Sequence, residues 1–271
     1  MRRHLARPRG AWMAILAAIL PSLCLAEPSS PSGGAQDRLQ ERLAEARELQ
    51  QKGSLREAQK SFEALLPDLR ARSDRADLGA ALNALSQIST AQGEYDRSAA
   101  AALEAAEVYR KLADRSGERR ALNNIGTAEL YRGDYLPAVR HFEEALALAR
   151  ATGDREAEVD GLNNLAAVYF PQARYLDALH AYRSALERVD QAAGAPWQGR
   201  RRRIVLTNLA ALFLRLGGYD QALDLYRELQ KSPEALPPSE QALLLANLGV
   251  LYRRLEDPLK ALEIYRAAGQ L

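Results

Sequence analysis

The sequence predicts an all-α solenoid of about six helix-turn-helix units. Three observations carry this: a pattern recurring about every 40 residues, apolar residues at helical spacing within each period, and a glycine at most of the turns. Cutting the chain at Gly53, Gly93, Gly133, Ala173, Gly217 and Glu256 gives spacings of 40, 40, 40, 44 and 39 residues. Composition agrees, since 47% hydrophobic and 27% charged residues describe a folded protein and exclude a disordered, collagen-like or disulfide-rich chain.

The first element is an export signal over residues 1–26. Arg2, Arg3, Arg7 and Arg9 precede the apolar run Ala11 to Leu20, and Cys24 and Ala26 occupy the −3 and −1 positions of a small-residue cleavage site before Glu27. Two alternatives stay open. An uncleaved anchor over Ala11 to Ala26 falls short of the roughly 20 residues a spanning helix needs. Acylation of Cys24 would want a small residue before it, where Leu23 stands. Cleavage leaves 33 basic against 35 acidic residues, so the net charge of +2 becomes −2 and the pI near 8.7 belongs to the signal. The only Cys leaves as well, and thiol chemistry with it. The mature protein is therefore expected to be exported, periplasmic or secreted, without stable membrane insertion. Residues 27–37, EPSSPSGGAQD, read as a flexible linker.

The solenoid is expected over residues 38–271, with repeats at about 39–78, 79–118, 119–158, 159–202, 203–241 and 242–271. In the third repeat Leu122, Ile125, Gly126 and Leu130 form one helical stripe. A second helix then starts with Asp134 as N-cap and carries Ala138, Phe142, Ala145, Leu146 and Leu148 before Gly153. Aligned across repeats, Ala46, Ser86, Gly126, Ala166, Ala210 and Gly249 make a small column on the first helix. It faces Ala58, Ser98, Ala138, Ala178, Ala222 and Ala261 on the second. Small pairs let the two backbones approach. Phe62, Phe142, Tyr182, Tyr226 and Tyr265 fill the space beside the crossing, each worth roughly 1.5 to 3 kcal/mol when fully buried. Ala102 is the lapse in that column, with neighbouring Leu103 expected to fill part of the gap. In the sixth repeat Asp257 is the expected N-cap, with Pro258 at the first helical position.

Small, aromatic, Ala and Phe or Tyr at these spacings resemble the tetratricopeptide repeat, whose usual period is 34 residues and whose pattern ends in Pro. This chain adds about six residues and places Arg70, Arg110 and Arg150 at the Pro position. That is similar to the extended subtype of kinesin light chains, bacterial peptide-sensing regulators and arrays preceding caspase-like protease domains. The resemblance covers about 230 residues. It implies a right-handed solenoid whose first helices line a concave groove, and a role as a non-catalytic scaffold that binds a protein or peptide partner.

The groove register two places before the small column reads Ala44, Ala84, Asn124, Asn164, Asn208 and Asn247, and the position before that adds Asn83, Asn123 and Asn163. An amide offers one acceptor and two donors, which suits pairing with the backbone of an extended peptide. By resemblance, related arrays use Asn there to hold peptides. The alternative is a structural ladder, in which these Asn bond to neighbouring helices. Gln87 and Thr127 stand at an adjoining register with Ala167, Ala211 and Val250, while Tyr131, Arg215 and Arg254 occupy another. The two Arg could accept a ligand carboxylate or lie solvated. The set of Lys or Arg with Asn that chaperone-binding arrays require is missing from the first repeats.

The insertion behind the 44-residue spacing holds Trp197 and then Arg200 to Arg203, read as a solvated loop and helix start. Neither it nor a net charge of −2 suggests nucleic acid. His141 and His180 have no ligand spacing, and no phosphate loop, nucleophile elbow or dinucleotide fingerprint occurs. Neither an enzyme nor a metal or cofactor site is expected. The last helix is expected to expose Leu259, Leu262, Ile264 or Tyr265. That leaves a homo-oligomer, docking of a partner, an architectural assembly subunit, or a shortened relative of a longer protein as readings of that end.

Overall fold

The computed structural model describes residues 35–72, 75–230 and 238–270, all within or between twelve helices. The expected signal and most of the linker lie outside the described residues. The helices are α1 (Ala35–Gln51), α2 (Leu55–Arg70), α3 (Ala76–Ala91), α4 (Tyr95–Lys111), α5 (Arg115–Arg132) and α6 (Tyr135–Thr152). They continue as α7 (Arg155–Tyr169), α8 (Tyr175–Asp190), α9 (Gln198–Leu216), α10 (Tyr219–Gln230), α11 (Pro238–Arg254) and α12 (Pro258–Ala268). Odd-numbered helices are the first of each repeat and even-numbered the second. Among the described residues the architecture is an all-α solenoid of paired helices. α1 begins at Ala35, inside the segment expected to be linker.

Two compact units divide the chain, one ending at Gly161 and the other beginning at Leu162. In the N-terminal unit each helix packs on the next from α1 to α6, and the first helices also meet, α1 with α3 and α3 with α5. In the C-terminal unit the same order joins α8 through α12, with α9 also touching α11.

One turn geometry recurs in every repeat. The residue between first and second helix is left-handed throughout: φ is +77° at Gly53, +80° at Gly93, +94° at Gly133 and +79° at Gly217, and also +58° at Ala173 and +59° at Glu256. The following N–H then reaches back to a carbonyl of the last helical turn, as Asp134 does to Glu129 (2.8 Å) and Asp257 to Tyr252 (3.0 Å). These are Schellman closures, which satisfy carbonyls the helix end would leave bare.

The ring column is the core. Phe62, Phe142, Tyr182 and Tyr226 are at most 2% exposed. The small column works by volume exchange: a Cβ on Gly126 would lie 2.8 Å from Phe142 Cε1, so the ring occupies the place of the missing methyl. Where the ring is missing, the exchange runs the other way. Ser86 and Ser98 are buried beside Ala102, with their hydroxyls 2.9 Å apart and Thr90 Oγ1 2.7 Å from Ser98. Leu103 does not fill that gap, being 50% exposed.

The Arg residues at the Pro position link consecutive repeats. Arg110 Nε donates to Glu118 (2.9 Å) and Arg150 Nε to Glu158 (3.1 Å), the same eight-residue step across the turn between repeats, while Arg70 grips Glu104 with two bonds. Asp114 and Asp257 cap their helices through Gly117 N–H (2.8 Å) and Lys260 N–H (3.0 Å). Asp134 holds the N-cap position without making a cap bond, because its carboxylate takes Arg132 instead. The basic run is a helix start, as expected, with Arg200 exposed, but the rest of it is less solvated than expected. Arg201 is buried, Arg202 pairs with Asp190 and Glu228, and Arg203 reaches Glu240, so the start of α9 is pinned to α8, α10 and α11 and is not a solvated loop.

Candidate functional site

The candidate residues lie on first helices because the small column turns their other face into the repeat. In the N-terminal unit α3 contributes Asn83 and Gln87, and α5 contributes Asn123, Asn124 and Thr127. Asn124 Nδ2 donates to Asn83 Oδ1 (3.2 Å) and, at 3.5 Å, to the Asn83 carbonyl. In the C-terminal unit Asn208 Nδ2 on α9 donates to Asn163 Oδ1 on α7 at 2.9 Å. The two pairs share a rule: an Asn of one repeat bonds to the Asn one register earlier in the repeat before. That stagger explains why two adjacent columns carry Asn.

All four of these side chains are buried, as is Asn164; Asn247 is half-buried on α11. The pairing uses only part of each amide. In the N-terminal unit Asn123 Oδ1 is buried with no hydrogen-bond partner among the described residues, and Asn83 Nδ2 is buried with no close one. Burial raises the pKa of the Tyr109 phenol, and the Asn83 side chain, which reaches the phenol by a loose hydrogen bond, draws it part of the way back down. Thr127 turns inward to the Asn123 carbonyl (2.7 Å), and Gln87 accepts from Gln50 Nε2 (3.3 Å). Arg215, exposed at the end of α9, is not free of partners, and Arg254 is exposed at the end of α11. Tyr131 stacks on Tyr95 with ring centres 5.6 Å apart, and burial pushes its phenol up to about 12. The arrangement brings the Asn residues together within each unit and leaves Arg215 and Arg254 at helix ends.

His141 Nδ1 lies 2.7 Å from Glu129 Oε2, a part-buried pair joining α5 to α6, while His180 is exposed on α8. Among the described residues no group of three His, Cys, Asp or Glu is placed to hold a metal ion. None of the described helices is long and apolar enough to cross a membrane.

The sequence pattern did not single out Tyr109 or Arg120. Tyr109 occupies a column otherwise filled by Leu69, Ala149 and Val189, and its ring is wedged between α3 and α5 at two glycines. Glycine inside a helix costs about 0.5 to 1 kcal/mol relative to Ala. Gly79 and Gly117 within predicted helices were therefore the signal that something large approaches there.

The tetratricopeptide repeat profile matches residues 77–151 and 157–234, more than half of the chain. A search of curated proteins returned no matching relative. Among solved structures the chain is similar to NprR in complex with its cognate peptide NprX (TM-score 0.66, 15% identity, covering 88% of this chain and 67% of that one). It is also similar to a putative kinesin light chain with nearly identical TPR-like repeats from Podosopora anserina (TM-score 0.60, 18% identity, 73% and 96% covered). A third is BtubC (BKLC) from P. vanneervenii (TM-score 0.60, 19% identity, 88% and 91% covered). At these identities the likeness speaks for the fold. With the matched profile, the recurring turn and the ring column together, the chain belongs to the tetratricopeptide repeat family.

Proposed function

We propose that this protein is a non-catalytic scaffold of the cell envelope that captures an extended segment of a partner protein along the Asn-bearing faces of its first helices. The observation that carries this is a pair of buried amide atoms in the N-terminal unit, the Oδ1 of Asn123, which has no partner among the described residues, and the Nδ2 of Asn83, which only the Tyr109 phenol approaches. Buried polar atoms without partners are costly, on the order of 1 to 3 kcal/mol each, and native folds keep few of them. One donor and one acceptor are what the C=O and N–H of a peptide backbone complete. The similarity to NprR, solved with a peptide, supports the reading at the level of the fold.

The amides that bond to each other hold the face in shape, and the orphaned ones meet the ligand. Net hydrogen bonds of about 0.5 to 1.5 kcal/mol each, set against ordering of the peptide, place affinity in the micromolar range. The test is retention of a randomised octapeptide pool by the purified protein. Asn123→Ala should lose most of the retained peptide while the thermal midpoint stays within a few degrees. Asn83→Ala and Asn124→Ala should each lose stability, because either one strands the other's buried carboxamide group. Unchanged retention by Asn123→Ala would mean that the Asn residues are only structural. The envelope location rests on residues 1–26, and sequencing the N-terminus of protein recovered from the envelope should read from Glu27.

A further inference from the structure

We infer that a second copy of this chain covers the outward face of α12, the two copies pairing α12 against α12 about a two-fold axis, while the outward face of α1 is closed to such pairing. The surface lies on a second helix and stands apart from the Asn-bearing faces of the first helices.

Comparing the repeats position by position identifies what is uncovered on α12. The place of Leu262 is held in earlier repeats by Gln59, Ala99, Val139 and Leu223, each 8 or 9% exposed, and by half-buried Leu179. That place faces the repeat that follows, since Gln59 Nε2 donates to Glu94 of the next repeat at 3.3 Å. The place of Tyr265 is held by Phe62, Ala102, Phe142, Tyr182 and Tyr226, none more than 2% exposed. On α12 the same two positions are 47% and 38% exposed. Leu259 widens the apolar stripe, and no other described helix carries more than one large exposed apolar residue.

The outward face of α1 is built the opposite way. Glu41, Glu45 and Glu48 are exposed there. Their places in the second repeat hold Ala81, Leu85 and Ile88, at most 5% exposed, and in every later repeat a buried Gly, Ala, Val, Leu or Ile. The first of these places receives the preceding second helix: a Cβ on Gly161 would lie 3.2 Å from Leu146 Cβ. An α12 from another copy seated against α1 in that manner would bury three carboxylates. Among the described residues only Glu48 has a cation partner, Lys52, and a buried carboxylate without one is costly. Head-to-tail growth is thereby opposed. Pairing of like ends remains, in which each stripe covers the other.

Charge sets the direction of that pairing. Glu256 and Asp257 stand at the start of α12 and Arg266 in its last turn, and exposed Arg266 has no acid partner among the described residues. Antiparallel helices bring each Arg266 towards Glu256 and Asp257 of the other copy, whereas parallel helices would set like charges side by side. α12 spans 11 residues, about 16 Å, so the contact is small and its dissociation constant is expected to be micromolar or weaker.

Sedimentation equilibrium of the purified protein, from micromolar to millimolar concentration, should show a mass that rises from one chain and levels at two. Leu262→Glu, at an exposed site where helical circular dichroism should be unchanged, is expected to raise the dissociation constant at least about tenfold. Arg266→Glu and Glu256→Arg should each raise it about two- to tenfold, since each change occurs twice across the axis. The two together should recover most of the loss. Glu45→Leu with Glu48→Ile gives α1 the residues of the second repeat and should let the mass climb past two chains. A single-chain mass throughout, or an unchanged constant in Leu262→Glu, overturns the pairing. Growth past two chains in the unsubstituted protein, or a two-chain ceiling in Glu45→Leu with Glu48→Ile, overturns the closed face of α1. Absence of recovery in the charge-swapped variant overturns the antiparallel direction.

Discussion

Gly117 shows how one hydrogen atom in place of a methyl decides the packing around it. Its Cα sits so close to the Tyr109 ring that a Cβ would overlap it, and the ring is held on its other side by Gly79. Gly117→Ala is therefore expected to cost about 1 to 3 kcal/mol of stability, the range for forcing a methyl into a filled core, despite the better helix propensity of Ala. Urea unfolding of the two proteins measures it. The same substitution at Gly249 also overlaps a ring, that of Tyr265, at 2.4 Å, but this ring is 38% exposed and can swing outward, so the cost should be smaller. The Asn pairs illustrate the limit of reading one residue at a time. Their columns are plain in the sequence, yet an amide reads the same whether it will meet a neighbouring amide or a ligand. Only the atom-to-atom spacing of Asn124 and Asn83 separates the two uses.

At the scale of the element, the turn between paired helices is the most regular feature of the chain. Four repeats supply glycine for the left-handed residue, and two hold Ala173 and Glu256 in the same conformation. Left-handed backbone costs a residue with a Cβ roughly 1 to 2 kcal/mol, partly offset by the greater freedom that glycine loses on folding. Ala173→Gly and Glu256→Gly should each raise stability by about 0.5 to 1 kcal/mol, seen as a higher midpoint in urea. A fall at either position would mean that the side chain makes a contact worth more than the strain. The helix starts were less legible. Asp114, Asp134 and Asp257 look equivalent in sequence, but Arg132 competes for the Asp134 carboxylate and leaves that helix without its side-chain cap.

For the whole molecule, the two ends of the described array differ in character. On α1 the residues Leu39, Leu43 and Ala46 are buried and the outward positions are mostly polar. On α12, Leu259 is 80% exposed, Leu262 47% and Tyr265 38%, while Ile264 packs inward. An apolar stripe of this kind favours association. Multi-angle light scattering is expected to show a concentration-dependent rise in mass, suppressed by Leu259→Glu with Leu262→Glu; a constant monomer mass would remove that reading.

The period, the paired helices, the turns and the ring column were all legible in the sequence alone. They are set by local chain geometry, a 3.6-residue helix and a left-handed turn residue, repeated often enough that single lapses such as Ala102 do not hide them. The tertiary structure decided the rest. It buried Arg201 in a run that read as solvated, replaced a missing ring with a hydroxyl cluster, and joined Asn124 to Asn83. It also threaded Tyr109 between two glycines towards Arg120. Most of these outcomes depend on distances of a few ångströms between side chains that stand as far apart in the chain as Ser86 and Ser98 or Asn83 and Asn124, and no local pattern carries that information.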